Sequence, residues 1–350
     1  MGVFTRVNGV LSPGACLANG EYRIKQPLGQ GGFGITYQGI DTRLNRAVAV
    51  KEFFPEGCWR EGSTVVSAGR WNSDTYSNAK QKFLLEGQTL GQFNHPGIVQ
   101  VFYYFEENNT AYMVMEYLRG KTLAELLKQR QGKLSEAKAL EQIAKVGESL
   151  EILHQAQFLH RDIKPDNIML ADDGRVVLID FGAARDFTAN CTTRYTTMLT
   201  PGYAPLEQYG RALKHGAFTD IYALGSTLYH LLTGEAPVSA IERAAGVELK
   251  TVRQIAPQIS AHVSEAIARA MIMDVTERLQ SVRQFLDLLH LDASKLPSKV
   301  KLDSFYSSAS NAWSVFDEQH PAEKQNRWGS LRQGQANSPQ KSPPNQNQWF

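Results

Sequence analysis

The chain has 350 residues, with 37 Lys plus Arg against 35 Asp plus Glu and a formal charge of +2. At roughly 150 residues per domain that length implies about two units, or one large domain with a tail. The balanced charge excludes both a strongly basic nucleic-acid binder and an acidic solvating polypeptide, and no apolar run approaches the ~18 residues needed to span a bilayer.

Hydrophobic residues make up 42% of the chain, enough for a sizeable core but low enough to leave part of it unpacked. Cys16, Cys58 and Cys191 lie far apart and lack C-x-x-C spacing. They read as free thiols of a reducing compartment, not as a disulfide framework or a zinc site. The first residues lack the basic and apolar regions of a signal peptide. Arg6 stands where a myristoylation signal after Met1-Gly2 needs Ser or Thr. The expectation is a soluble, cytoplasmic protein with no transmembrane segment and no nucleic-acid partner.

Residues 1–20 read as an N-terminal extension, and residues 21–120 as strand-rich. Tyr22, Ile24 and Leu28 precede a glycine cluster, and Ile35, Tyr37 and Gly39 then alternate with polar neighbours. Ala47 to Val50 is a short apolar run ending at Lys51. Pro55 to Asn78, rich in Gly, Ser and Trp, reads as an inserted loop. Phe83, Leu84, Leu85 and Leu90 predict an amphipathic helix from Lys82 to Leu90. Val99, Val101 and Tyr103, then Tyr112, Val114 and Glu116, predict two strands joined at Glu107-Asn108-Asn109.

Residues 121–292 read as helix-rich. Ser135 is a predicted N-cap, with Glu136 in the first turn and Leu140, Ile143, Val146, Leu150 and Leu153 forming one stripe. Asp220 to Leu232 predicts a second apolar helix that ends at Gly234. Ser264 to Met273 and Ser281 to Leu289 predict two more. Strands followed by helices point to an α+β fold with two lobes. Residues 293–350 are rich in Ser, Asn, Gln, Pro and Lys and read as a disordered tail.

Gly29-Gln30-Gly31-Gly32-Phe33-Gly34 matches G-x-G-x-x-G. A dinucleotide-binding unit would open a helix there, but Ile35 to Gly39 alternates as a strand does. The glycines therefore turn a hairpin, either a bare one or one that lays backbone N–H groups over phosphates. Lys51 lies at the end of an apolar strand, where a charge needs a partner. It suits a phosphate clamp held by Glu86. His160-Arg161-Asp162-Ile163-Lys164-Pro165-Asp166-Asn167 is the densest chemical signal. Phosphoryl transfer needs a carboxylate to orient the hydroxyl, a cation and an oxygen ligand for Mg²⁺. Asp162, Lys164 and Asn167 supply all three, and Pro165 breaks any continuous helix. Asp180-Phe181-Gly182 follows a short apolar strand and places a second carboxylate suited to a metal.

In this order, GQGGFG, VAVK, Glu86, HRDIKPDN and DFG resemble a eukaryotic-type (Hanks-type) protein kinase. GQGGFGITY, KEFFPEG and TPGYAPLEQY are similar to bacterial Ser/Thr kinases. The resemblance covers about Tyr22 to Leu289. It implies a bilobal protein-kinase-like fold, with an antiparallel-sheet N-lobe carrying one helix (21–117) and a mainly helical C-lobe (118–292). It implies ATP in the cleft, its adenine between Ala49 and Met169, with Met115 as gatekeeper and Glu116 to Leu118 as hinge. Gly29, Gln30, Gly31, Gly32, Phe33 and Gly34 would cover the phosphates, and Lys51 would touch them while pairing with Glu86. Asn167 and Asp180 would hold Mg²⁺, Asp162 would take the hydroxyl proton, and Lys164 would steady the γ-phosphate.

The resemblance further implies a stacked column of Leu90, Val101, His160 and Phe181. Asp220 would brace the catalytic loop, and Glu207 would pair with Arg278. Thr192, Thr193, Thr196 and Thr197 are candidates for activating phosphorylation beside Arg161. Thr200 would contact Asp162 and Lys164. Thr36 replaces the usual Val over the adenine, and Ala204-Pro205-Leu206-Glu207 shifts the usual Ala-Pro-Glu by one residue. The implied partners are protein substrates bearing Ser or Thr, with a docking partner for the tail. The alternatives are a pseudokinase scaffold, which would lack one of Lys51, Asp162, Asn167 and Asp180, and a small-molecule phosphotransferase.

Overall fold

The computed structural model describes residues 9–32, 34–67, 69, 71–129, 132–181, 185–186, 199–210 and 213–291. Strands β1 (Cys16–Leu17), β2 (Tyr22–Gln30), β3 (Gly34–Asp41) and β4 (Arg46–Phe53) come first. Next come the short β5 (Trp59–Glu61) and β6 (Thr64–Val66), helix α1 (Ser73–Leu90), β7 (Val101–Glu107) and β8 (Thr110–Glu116). The main sheet is antiparallel, in the order β1-β2-β3-β4-β8-β7. Strict alternation of buried residues along β3 puts Ile35 and Tyr37 in the core, as a period of two requires. Leu11 and Leu17 are also buried there, so the described part of residues 1–20 packs with the sheet.

The segment from Pro55 to Asn78 is not one loop. Residues Trp59–Glu61 and Thr64–Val66 pair as a separate antiparallel hairpin. Asn72 then caps α1 by accepting the Thr75 N–H at 2.9 Å, which starts the helix nine residues before Lys82. That first half has only Tyr76 as a large apolar residue, so periodicity gave no signal for it.

The C-lobe holds β9 (Gly120–Thr122), α2 (Leu123–Gln129), α3 (Glu136–Gln155), β10 (Phe158–Leu159), β11 (Ile168–Ala171), β12 (Val176–Leu178) and β13 (Arg185–Asp186). It continues with α4 (Ala217–Thr233), α5 (Ala240–Ala244), α6 (Val252–Ile255), α7 (Ala261–Ala270) and α8 (Val282–Leu288). Ser135 caps α3 as its sequence implies. The Glu136 carboxylate instead accepts from Ser260 N and Oγ at 2.8 and 2.6 Å, joining α3 to the start of α7. Helix α4 is buried on all sides from Thr219 to Tyr229, the signature of a central helix. Gly225 lets α7 pack against it, since a Cβ there would stand 2.7 Å from the Ala270 Cβ.

Glu207 and Arg278 form a buried ion pair, with Nη1–Oε1 at 2.6 Å and Nη2–Oε2 at 3.2 Å. The Thr219 hydroxyl donates a third bond to Glu207 at 3.2 Å. Removing one partner leaves a buried charge uncompensated. Arg278→Met is expected to lower stability by about 3–5 kcal/mol in urea titrations, with the Glu207→Leu/Arg278→Met double variant regaining most of that loss.

Candidate active site

The glycine turn joins β2 to β3, with Gln30 opposite Ile35 and the Gly31 N–H donating to Gly34 O at 2.9 Å. Its glycines serve different ends. A Cβ on Gly29 or Gly31 would meet open space, whereas one on Gly34 would come within 2.3 Å of the Glu52 carbonyl oxygen. Gly34 is therefore required by the close approach of β4. Gly29 and Gly31 keep the turn bare of side chains. Phe33 lies outside the described residues.

Lys51 sits in β4 opposite Thr36. Its Nζ lies 2.8 Å from Asp180 Oδ1 and 3.5 Å from Glu86 Oε1. Burial alone would lower the lysine pKa, but the charge of Asp180, then that of Glu86, outweighs it and holds the ammonium well above its ordinary value. Glu86 is pushed up by burial, and Asp180 adds to that while Lys51 opposes it. Asp180 has φ +58°, a left-handed conformation costly for a non-glycine residue. Only Ile179 separates it from β12, and the Ile179 N–H donates to Asn167 O at 3.0 Å, which sets Asp180 beside the loop carrying Asn167.

That loop is held from below. Asp220, fully buried in the first turn of α4, accepts the N–H groups of His160 at 3.0 Å and Arg161 at 2.7 Å. His154 Nε2 lies 2.8 Å from the same carboxylate. Burial would raise the Asp220 pKa, yet its bond to His154 and the nearby charges lower it. Arg161 is held at φ +66°. Within the loop, Lys164 Nζ stands 2.8 Å from Asp162 Oδ2, and Asn167 Nδ2 donates to the same oxygen at 2.8 Å. The Thr200 hydroxyl accepts from Lys164 Nζ at 2.8 Å and donates to Asp162 Oδ1 at 3.0 Å. Gln208 donates to Arg161 O at 2.9 Å, tying the segment around Glu207 to the loop.

His160 packs on Phe181 with ring centroids 4.4 Å apart, and both are buried with Leu90 and Val101. Ala49 pairs with Met115 across β4 and β8, and Met169 lies on β11 between Val177 and Thr122. Leu118 follows β8 and is half-buried. Sequence reasoning missed one link here. The Glu116 carboxylate, at the end of β8, binds Arg175 Nη2 at 3.0 Å and Nη1 at 3.3 Å. The two lie 59 positions apart, beyond any local pattern. Gly182, Cys191, Thr192, Thr193, Thr196, Thr197 and the 293–350 tail lie outside the described residues. Among the described residues no helix is long and apolar enough to cross a membrane.

The match to known proteins follows this geometry. The protein kinase domain family matches residues 22–299. The chain belongs to that family. It is 32% identical over 280 residues to the serine/threonine-protein kinase PknA of Mycobacterium tuberculosis, covering 77% of this chain and 60% of that protein. It is 33% identical over 293 residues to serine/threonine-protein kinase C of Synechocystis, covering 80% and 51% respectively. The chain thus spans only about half to three-fifths of the length of these relatives. The solved structure described as the apo form of PpkA-294 superposes with a TM-score of 0.71 at 32% identity, covering 81% of this chain and all of that one. The PknI kinase domain of M. tuberculosis, 23% identical with a TM-score of 0.63 over 80% of this chain and 98% of its own, shares the fold. As a protein kinase domain the chain is bilobal, its curled antiparallel sheet joined to a helical lobe.

His95, His160 and His230 all have pKa values lowered by burial. The unfolded chain takes up these protons near pH 6.5, so the stability tied to neutral histidines is complete above that value and is lost as pH falls through the folded pKa values. The urea midpoint should drop between pH 7 and pH 5, less steeply in His160→Gln. A midpoint that is flat across this window would contradict the assignment.

Proposed function

We propose that this chain is a Ser/Thr protein kinase that transfers the terminal phosphoryl group of ATP to protein hydroxyls. The observation that carries this reading is one arrangement: Lys51 pairs with Asp180, and Asp162 with Lys164 and Asn167, each at 2.8 Å, while the Ile179 N–H bond to Asn167 O at 3.0 Å sets the two groups side by side. The kinase relatives named above support it. A pseudokinase scaffold would have lost at least one of these groups, and all are present.

Asp162 acts as the base. The substrate oxygen forms a bond to the γ-phosphorus as the bond to the ADP oxygen breaks, and the hydroxyl proton passes to the Asp162 carboxylate. The Thr200 hydroxyl already donates to Asp162 while accepting from Lys164, so an alcohol O–H fits this geometry. Lys164 and Lys51 spread the phosphate charge. The adenine rests between Ala49 and Met169, against the backbone of Glu116 to Leu118. The amide nitrogen of Asn167 is committed to Asp162, which leaves its carboxamide oxygen for a cation. With the Asp180 carboxylate it makes a hard oxygen set that fits Mg²⁺. When bound, the ion would offset charge on the phosphate oxygens.

Protein substrates are the implied partners, the tail a docking segment, and the cytoplasm the implied compartment. Thr196 or Thr197 is the proposed autophosphorylation site, its phosphate pairing with Arg161.

With radiolabelled ATP, Mg²⁺ and a generic basic protein, wild-type chain should label Ser and Thr. Asp162→Asn should lose at least about a hundredfold in rate, the low end of what general bases supply, without loss of folding. Retained turnover would refute the role of Asp162, and transfer only to a sugar or antibiotic would refute the protein-kinase reading. Mass spectrometry after incubation with ATP should find phosphate on Thr196 or Thr197; neither modified would reject that site.

A further inference from the structure

Glu52 follows Lys51 in β4, so strand alternation turns its side chain to the opposite face of the sheet. It is fully buried. Three groups meet its carboxylate. Tyr37 of β3 donates its hydroxyl to Oε2 at 2.8 Å, Tyr112 of β8 donates to Oε1 at 2.8 Å, and Arg60 Nη2 donates to Oε2 at 2.6 Å. Burial and then the Glu52 charge push both tyrosines above their ordinary pKa.

Arg60 comes from β5, inside the inserted segment. Its other donors are also used. Nε and Nη2 reach Gly9 O at 3.1 and 3.0 Å, and Nη1 reaches Ser63 O at 2.7 Å. One planar guanidinium thus joins β4, the N-terminal segment and the hairpin turn. A lysine, with one nitrogen, could not. The hairpin is tied in turn to the β7–β8 turn: Val65 N donates to Asn108 O, and Asn109 Nδ2 donates to Val65 O, both at 2.8 Å. Tyr76, in the first turn of α1, donates to Asn109 O at 3.0 Å. The Trp71 indole N–H donates to Glu56 O at 2.9 Å. Its ring meets Phe53 edge-on at 6.4 Å and Tyr76 at 6.5 Å. Phe53, two residues past Lys51, also packs on Phe83 at 5.8 Å, one helical turn before Glu86.

A surface loop that merely tolerates extra length would not carry a buried ion pair whose every guanidinium nitrogen is hydrogen-bonded. We propose that residues 55–67 with 71–72 are an internal brace for the Lys51–Glu86 pair. Arg60 fixes β4 through Glu52, and Trp71 with Tyr76 pins the start of α1, so the lysine and its glutamate are held face to face by the chain's own insertion. Arg60 is a positioning residue that touches no substrate. This rests on the reading of Lys51 and Glu86 as a phosphate clamp.

Arg60→Met alone would strand the Glu52 charge and can unfold the lobe, so the deciding variant is Glu52→Gln/Arg60→Met, with Trp71→Leu as an independent second. In the full chain, steady-state assays should show KM for ATP rising about tenfold, within the range that small misplacements of catalytic groups cause, with a smaller change in kcat and cooperative unfolding retained. Arg60→Lys should fall between wild type and the double variant. Hydrogen exchange should quicken in residues 80–90 and stay unchanged in α4 and α7. An unchanged KM and unchanged exchange in either folded variant overturns the brace. Lys51→Met separates the two ideas. If it is inactive while both brace variants behave as wild type, the brace alone fails. If it keeps full activity, the clamp reading fails, and the exchange result still decides whether the insertion holds α1.

Discussion

The Asp220 carboxylate organises the cleft from a place no substrate reaches. It is buried in the most enclosed helix of the molecule and spends its oxygens on the N–H groups of His160 and Arg161 and on His154. An ionised carboxylate at such a site would be prohibitive without these donors, and the loop would have no reason to hold Arg161 in a left-handed conformation without the carboxylate. From that anchor the dependence runs outward. His160 fixes Phe181 by ring contact, Phe181 fixes its neighbour Asp180, and Asp180 reaches Lys51 across the cleft. The groups proposed to do chemistry are therefore the exposed end of a chain of buried contacts.

The same logic recurs wherever this chain buries charge. Glu207 with Arg278 secures the segment that also carries Gln208, and Glu52 with Arg60 secures the strand carrying Lys51. Such pairs add little net stability over apolar residues of equal size, because desolvation opposes the attraction. What they provide is placement, since each has satisfied donors in only one arrangement. The first pair joins segments 71 positions apart, while Arg60, only eight positions from Glu52, also reaches the Gly9 carbonyl 51 positions away, at places where a shift of an ångström would move a working side chain.

Legibility in the sequence followed the range of the interactions. The loop from His160 to Asn167 was readable because its chemistry needs particular residue types within a few positions. The stripe of α3 was readable because burial on one face imposes a helical period, and α4 was readable as an apolar run that ends at Gly234. The hairpin inside residues 55–78 and the first half of α1 were not readable, since strands of three residues and an N-cap asparagine leave no periodic trace. The partners of Glu52 and Glu116 were also hidden, because Arg60 and Arg175 carry no mark distinguishing them from other arginines. The glycine motif was read for one purpose and turned out to serve two, with Gly34 reserved for packing on β4.

Lys51 stands closer to Asp180 than to Glu86, and Asp180 does more to raise its pKa, yet the two carboxylates differ in what their loss would leave behind. The Asp180 side chain is 53% exposed, while that of Glu86 is 9% exposed. A carboxylate open to water is solvated when its attraction to a partner is lost. The same attraction is stronger where water is excluded, and there the loss of one partner leaves a charge with nothing to offset it. Glu86 is thus the partner Lys51 cannot give up, and Asp180 the one it can release to a cation without leaving a buried charge behind. It follows that the position of α1, more than the conformation around Asp180, sets whether the ammonium stays aimed at the cleft. The aromatic packing of Phe53, Trp71, Tyr76 and Phe83 is what fixes that position.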